Sequence, residues 1–184
     1  MFQERFVYHI KDSYFEKVND NMLMCNKENK QYRPTFLCME DPVTPGLLWV
    51  VPMSTQVKKF AAIRDKQIAK YGKCITIVIG TYDGKNAAFL LQNMFPITSQ
   101  YLDHIHTRNG NPVPVNYSLA KEVKRNVQQL RILISRGKKV VFPDVKRLES
   151  LMIEELSVND KTLSFENPSL NDRINSIKNT QNLP

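Results

Sequence analysis

The sequence has little of what would place it in several common protein classes. It contains three cysteines, an odd number at wide spacing, which predicts neither a disulfide framework nor a zinc site. Its longest apolar run, residues 47–53, is far shorter than the roughly 20 residues that a transmembrane helix needs. No apolar segment of a secretory signal follows Met1, so we expect a cytoplasmic protein that makes no membrane contact.

The motifs of familiar nucleotide-dependent and hydrolytic enzymes are missing as well. There is no P-loop, no GxGxxG, no GxSxG and no HExxH pattern. His104 and His106 lie two residues apart, a spacing that would place them on different sides of a helix, and no cysteine or carboxylate cluster accompanies them. We therefore predict no metal site and no cofactor.

Positive charge is what the sequence has in excess. Lysine and arginine total 26 against 18 acidic residues, which gives a net charge of +8. The cations concentrate in residues 58–73 and 121–147, whereas residues 157–184 are polar and carry no net charge. This distribution favours a polyanionic partner, most often nucleic acid. Together with the length of the chain, it predicts one domain, residues 1–156, followed by a polar C-terminal tail, residues 157–184, that is either a mobile extension or a short docking segment.

Hydrophobic patterning predicts short strands alternating with helices, an α+β protein. The predicted strands are residues 6–9, 35–39, 47–53, 74–79, 87–91 and 140–142. The first predicted helix is capped by Asp12 or Ser13, and the second is capped by Ser54 or Thr55 and ends at about Tyr71. A short helix is predicted over residues 101–106, and two longer ones over residues 118–134 and 144–156. Residues 19–32 are predicted to form a loop. The sum is a twisted or barrel-like sheet of five or six strands with about four helices.

One pair of segments carries a candidate chemistry. Arg33 opens one predicted strand, while Ser54 and Thr55 follow the end of the next. If these strands pair, a guanidinium meets hydroxyl groups close to Lys58, a combination suited to holding a phosphate. RNA supplies its own nucleophile, the 2′-hydroxyl, so the protein has only to position the phosphate and stabilise the transition-state charge. The alternative is that Arg33 forms a surface ion pair and Ser54 or Thr55 caps a helix.

The same residues resemble known toxins. Arg33-Pro34 followed by Val-Pro-Met-Ser-Thr-Gln at residues 51–56 resembles the MazF/PemK-like toxin ribonucleases. Residues 6–18, the Pro-Met-Ser-Thr step and residues 89–97 resemble the toxins of type III toxin–antitoxin systems, the ToxN, AbiQ and CptN group, with the CptN branch the best match. The resemblance covers residues 6–156.

This resemblance implies a fold and a function. The fold would be a compact MazF-like (SH3-like) twisted β-barrel of five to six strands with about four added helices. The activity would be that of a metal-independent endoribonuclease that leaves a 2′,3′-cyclic phosphate and a 5′-hydroxyl on cellular or phage RNA. Its inhibitor would be a small pseudoknot RNA, which the toxin cuts from a repeat precursor and holds in a closed RNA–protein assembly. The group acts in abortive infection against phage.

The resemblance also implies site residues. The catalytic hydroxyl falls on Thr55 by the type III pattern and on Ser54 by the MazF pattern, and both remain candidates. Arg33 stands in for a family lysine that has no exact match here, and Lys27 or Lys30 could also reach in. Lys58 lies near a second family lysine. Tyr14 matches an N-terminal tyrosine, and Tyr32 is a second candidate. The predicted RNA-binding residues are Lys27, Lys30, Tyr32, Lys59, Arg64, Gln92, Asn93, His104, Lys121, Lys124, Arg125, Lys138 and Lys139.

Two other functions fit the same composition. A non-catalytic module that binds one structured RNA needs the basic helices but not the hydroxyls. A MazF-like toxin with a protein antitoxin needs the hydroxyls to cut RNA but has no RNA antitoxin. A tandem-repeat array upstream of the reading frame would favour the RNA antitoxin, and a small acidic reading frame there would favour the protein antitoxin.

Overall fold

Short apolar strands and basic amphipathic helices follow one another along the chain. A computed structural model describes residues 2–28 and 31–166. In chain order the elements are β1 (Val7–Ile10), α1 (Asp12–Val18), β2 (Lys27–Glu28), β3 (Gln31–Tyr32), β4 (Thr35–Glu40), β5 (Leu47–Ser54), α2 (Val57–Tyr71), β6 (Ile77–Tyr82), β7 (Lys85–Leu90), β8 (Phe95–Thr98), β9 (Leu102–Ile105), β10 (Thr107–Arg108), β11 (Asn111–Pro112), α3 (Tyr117–Ser135) and α4 (Val145–Glu166).

Strand β5 is the centre of a seven-stranded antiparallel sheet. The strand order is β6-β7-β5-β4-β1-β9, and β8 also pairs with β5. The first half of β5 pairs with β8 up to Val50, and its end pairs with β7 from Met53. Pro52, which has no N–H to donate, lies where β5 changes partner. All eight residues of β5 are buried, which explains its continuous apolar sequence.

The predicted α+β class and the four helices are confirmed, but the described strands do not close into a barrel. Strands β6 and β9 form the two ends of the sheet and do not pair with each other. Helices supply the cover that barrel closure would otherwise give: α3 contacts β4 and β6, α2 contacts β6 and β7, and α4 contacts β8. The pairs β2–β3 and β10–β11 lie outside this sheet.

The core lies between the sheet and its helices. The predicted apolar face of α3 is confirmed, since its five members are buried: Leu119, Val123, Val127, Leu130 and Ile134. A second cluster joins Leu148 and Met152 of α4 to residues of β1, β4, β5 and β8. Phe60 of α2 packs in a third cluster with Ile77 and Leu90. No helix within the described ranges is long and apolar enough to cross a membrane.

A buried ion pair ties the β4–β5 hairpin to α3. The Asp41 carboxylate pairs with Arg131 and accepts a hydrogen bond of 2.8 Å from the indole N–H of Trp49. It also accepts the backbone N–H groups of Val43 and Thr44 at 2.9 and 3.1 Å. The Arg131 guanidinium lies 4.6 Å from the centroid of the Trp49 ring.

Several predicted elements differ from the structure. Residues 101–106 do not form a helix, because β1 offers its free edge and Leu102–Ile105 pairs with it as β9. Residues 140–142 form no strand; the Phe142 N–H bonds to the Gln92 carbonyl, and Pro143 follows without a donor. The predicted loop 19–32 contains the β2–β3 pair. Helix α4 runs through Glu166 rather than ending at residue 156, and residues 167–184 of the predicted tail lie outside the described residues.

Candidate active site

A cleft of about 230 Å³ lies where β4 begins and β5 ends. It is lined by Gln31, Tyr32, Arg33, Pro34, Met53, Ser54, Thr55 and Gln56. The register of the two strands explains its position: Thr35 is paired with Pro52, and the Met53 N–H donates to the Pro34 carbonyl at 3.0 Å. The predicted meeting of Arg33 with Ser54 and Thr55 is therefore confirmed.

Arg33 lines this cleft and is only 9% exposed. Its Nε donates to the Cys25 carbonyl at 3.0 Å, and its Nη1 donates to the Met53 carbonyl at 3.2 Å. The guanidinium thus fixes the residue that precedes Ser54 and places a positive charge in the lining of the cleft. This burial does not fit the alternative in which Arg33 is a surface residue.

The two hydroxyl residues have different surroundings. Ser54 is buried, and its Oγ accepts the backbone N–H of Gln56 at 3.2 Å. Thr55 is exposed, and its carbonyl accepts the N–H of Val57 at 2.8 Å. The predicted N-cap at Ser54 or Thr55 is wrong, since Gln56 holds that position and makes no side-chain capping bond. Ser54 shapes the turn, and Thr55 presents its side chain to solvent.

Asp12 organises two of the predicted RNA-binding residues at the rim of the cleft. Its carboxylate accepts hydrogen bonds from Lys27 Nζ at 2.5 Å, the Tyr32 hydroxyl at 3.1 Å and Asn26 Nδ2 at 2.8 Å. The bond to Asp12, followed by that to Tyr32, raises the pKa of Lys27 to about 12. The same bond from Lys27 is the largest cause of a lowered pKa at Asp12. Lys27 therefore acts as a fixed cation and not as a base.

Tyr14 does not line this cleft. It is fully buried, its hydroxyl donates to the Pro96 carbonyl at 2.8 Å, and its ring stacks on Phe95 with a centroid distance of 5.1 Å. Burial raises its pKa well above the usual range. The placement fits a core residue, and it does not fit the predicted role beside the reacting groups.

Lys58 and Lys59 are exposed in the first turn of α2, which contains no acidic residue. Two cations next to the positive end of a helix dipole are unfavourable for stability, and an anion bound nearby would relieve this. Farther along the helix, Arg64 pairs with the neighbouring Asp65 at 2.9 Å. The start of α2 is thus the more electropositive part of the predicted binding helix.

Replacing Lys58 with glutamate is expected to stabilise the protein by about 0.3–1 kcal/mol, because it removes a cation from the positive end of the helix dipole and adds an anion there. Ala61 and Ala62 lie one turn farther on, so the substitution creates no new ion pair within the helix. Urea unfolding followed by the fluorescence of Trp49, the single tryptophan, measures the stability. The control K58Q should give about half of the change. A K58E protein less stable than the parent would contradict this electrostatic interpretation.

Five of the remaining predicted RNA-binding residues line two basic grooves. Lys121, Lys124 and Arg125 line a groove of about 540 Å³ along α3, where Lys124 also pairs with Glu4 at 3.0 Å. Lys138 and Lys139 line a groove of about 650 Å³ after α3. Sequence reasoning did not single out three further residues of that second groove, Phe142, Lys146 and Arg147. The excess of cations over residues 121–147 was a signal for Lys146 and Arg147, whereas the strand predicted over residues 140–142 concealed Phe142.

The four other predicted RNA-binding residues differ in where they lie and in how exposed they are. Gln92 is half-buried beside Lys139 and Phe142, whereas Asn93 is 6% exposed and unsuited to contact RNA. His104 is exposed on β9 and stacks on His9, a residue that sequence reasoning did not single out. Lys30 lies outside the described residues.

The chain was compared with protein families, curated proteins and solved structures. No protein-family model matches the chain, and no curated protein matches it. Among solved structures, AbiQ, a lactococcal anti-phage endoribonuclease belonging to the type III toxin–antitoxin system, is similar with a TM-score of 0.64 at 11% identity, over 84% of this chain and 99% of AbiQ. ToxN, from a bacterial antiviral system regulated by a processed non-coding RNA, is similar with a TM-score of 0.58 at 14% identity, over 79% of this chain and 95% of that one. The finer placement in the CptN branch stays a prediction. The chain therefore has the fold of ToxN and AbiQ, which confirms its resemblance to this group of toxins at the level of the fold.

Proposed function

We propose that this protein is an endoribonuclease toxin of a type III toxin–antitoxin system. The observation that carries the proposal is the cleft itself, which brings a buried guanidinium and two hydroxyl residues together on a fold shared with an anti-phage endoribonuclease. Exposed lysines at its rim add the charge that an RNA backbone requires.

In this proposal the 2′-hydroxyl of the RNA attacks the adjacent phosphorus at the cleft. The new 2′-oxygen–phosphorus bond forms as the bond to the 5′-oxygen breaks, and one proton passes overall from the attacking to the leaving oxygen. The products are a 2′,3′-cyclic phosphate and a 5′-hydroxyl. Thr55 donates a hydrogen bond to a phosphate oxygen, while the charges of Arg33, Lys27 and Lys58 stabilise the added negative charge of the transition state. Ser54 and Arg33 keep Thr55 in place.

The same proposal assigns the two basic grooves to an RNA antitoxin. Exposed lysines and arginines along α3 and after it supply the positive charge that binds a phosphate backbone. Phe142, which is 47% exposed between Lys139 and Lys146, offers a ring on which an unpaired base can stack. A small repeat-derived RNA in these grooves would inhibit the toxin by covering the cleft, in a closed RNA–protein assembly. Cellular or phage RNA would be the substrate.

Co-expression with the upstream DNA tests the proposal, with end-mapping of the RNA that co-purifies. A discrete short RNA with a cyclic phosphate and a 5′-hydroxyl is the expected result, together with cleavage of total RNA by the freed protein. Uncut RNA on a harmless protein would instead establish a non-catalytic binding module. A protein free of nucleic acid that still cuts RNA would establish a MazF-like toxin with a protein antitoxin.

A further inference from the structure

The three histidines of the chain lie in one cluster at the edge of the sheet. His9 is on β1, His104 is on the neighbouring β9, and His106 follows directly after β9. The rings of His9 and His104 stack with a centroid distance of 4.4 Å at 18°, and His106 lies 6.5 Å from His9. Side chains two residues apart on a strand point to the same face, so the extended chain places His104 and His106 on one face, whereas a helix would place them on different sides.

Tyr32 connects this cluster to the cleft. It lines the cleft, and its ring stands edge-on to His9 with a centroid distance of 6.1 Å. Asp12 fixes its hydroxyl, as described above. The side chain of His104 is 60% exposed and that of His106 is 32% exposed. A surface of four rings therefore extends from the cleft to the edge of the sheet.

Folding alone gives little reason for this arrangement. His9 Nδ1 is buried and has no hydrogen-bond partner within the described part of the chain, which costs free energy. Burial, and then His104 and His106, lower the pKa of His9, while Asp103 raises it, so the ring is neutral at neutral pH. No three His, Cys, Asp or Glu side chains among the described residues are grouped so as to hold a metal ion.

The charged groups around the rings are of both signs. His104 Nδ1 lies 2.8 Å from Asp103, and His106 Nε2 lies 3.4 Å from Asp83, which also pairs with Arg108 at 3.1 Å. Lys27 lies 4.5 Å from the centroid of the Tyr32 ring. A surface of this mixed charge has no general preference for an anion. Flat rings with ring nitrogens and carboxylates at their edges suit a nucleobase, which stacks by its face and hydrogen-bonds by its edge.

We propose that His9, His104, His106 and Tyr32 form a nucleobase-binding subsite that takes an unpaired base next to the scissile bond. The inference rests on the proposed ribonuclease function and deepens it. His9 covers one face of His104, so the exposed fraction of His104 presents its other face and its edge to the RNA. The subsite would contribute to the sequence preference of cleavage, while the cleft performs the reaction.

Binding measurements on an uncut complex test the subsite. The T55A protein is titrated with a labelled heptanucleotide RNA that carries the cleavage site mapped in total RNA, and anisotropy gives the Kd. A series of heptanucleotides carries one abasic nucleotide at each position in turn. We expect an abasic nucleotide next to the cleavage site to weaken binding about tenfold, the usual size of one base–aromatic stack. The T55A/H104A protein should bind the intact RNA about tenfold more weakly and lose nothing further at that position.

The variant T55A/H104F is the matched control, because phenylalanine keeps a flat ring without ring nitrogens, and it should retain most of the affinity. An H104A substitution that leaves both the Kd and the abasic profile unchanged would overturn the subsite. So would an H104F protein that binds as weakly as H104A. Failure of the unsubstituted protein to cut total RNA overturns the proposed function at an earlier step, so the two failures are distinguishable.

Discussion

Cleavage of RNA is expected to fall about 10²–10³-fold when Thr55 is replaced by alanine, the usual loss on removing one hydrogen-bond donor to a transition-state oxyanion. Of Ser54 and Thr55, only Thr55 is exposed, so in the proposed mechanism its removal takes a donor from the phosphate without exposing the core. Single-turnover rates with a short RNA separate this loss from a change in binding. The S54A protein should lose less activity, because the Ser54 hydroxyl accepts the Gln56 N–H and shapes the turn.

The conservative variant T55S keeps a hydroxyl at the same position and should retain most of the rate. Both T55A and T55S should unfold at nearly the same urea concentration as the parent, since Thr55 is exposed. If T55A cuts RNA at the parental rate while S54A is inactive, the hydroxyl that acts on the phosphate is Ser54. If both variants keep the parental rate, the cleft is not the site of cleavage.

The second large effect concerns stability and lies far along the hairpin from the cleft. Replacing Asp41 with alanine is expected to destabilise the protein by about 3–5 kcal/mol, the usual loss on breaking a buried ion pair. The substitution leaves the Arg131 charge, the Trp49 indole and two backbone N–H groups without their carboxylate. Urea unfolding monitored by Trp49 fluorescence measures the change. Unfolding at the parental urea concentration would contradict the importance of this carboxylate.

The matched control is Asp65, an exposed carboxylate that also pairs with an arginine. D65A should change the free energy of unfolding by about 1 kcal/mol or less, as surface ion pairs do.

The stability of the protein should also depend on pH through Asp41. Burial opposes ionisation of Asp41, but hydrogen bonds from Trp49, Val43 and Thr44 and the Arg131 charge together lower its pKa. Its contribution is therefore complete above the unfolded-state pKa, about 3.9, and is lost as the pH falls through the lower folded-state value.

Local sequence signals predict much of this fold. The apolar face of α3, the end of α2 at Gly72 and the pairing of β4 with β5 follow from residue spacing and turn chemistry, and the structure has all three. That pairing is also what makes the cleft predictable, because register alone brings Arg33 to Ser54. The start of α2 was misplaced because Ser54, a residue typical of an N-cap, bonds to Gln56 one residue before the helix.

Features that depend on distant contacts could not be predicted in the same way. Asp12 begins α1 and so has the sequence signature of a capping residue, yet its carboxylate binds Lys27 and Tyr32 across a loop. Residues 101–106 have no strong helical or strand periodicity, and the edge of β1 decides their conformation. Tyr14 occupies a matching position in the family pattern, but the helix that carries it turns the ring into the core.

The position of β5 in the sheet has a consequence for hydrogen exchange. Three strands bond to β5, with β4 along most of its length and β8 and β7 dividing the other side. The N–H groups along β5 bond alternately to the strands on its two sides, so freeing all of its central amides requires opening the sheet on both sides, and we expect them to be among the last to exchange. Protection ends within a few residues, because Thr55 is exposed and the first N–H groups of α2 have no partner in the helix. Ser54 and Thr55 thus stand at the end of a strand that we expect to exchange slowly, so this part of the cleft is ordered before any ligand binds.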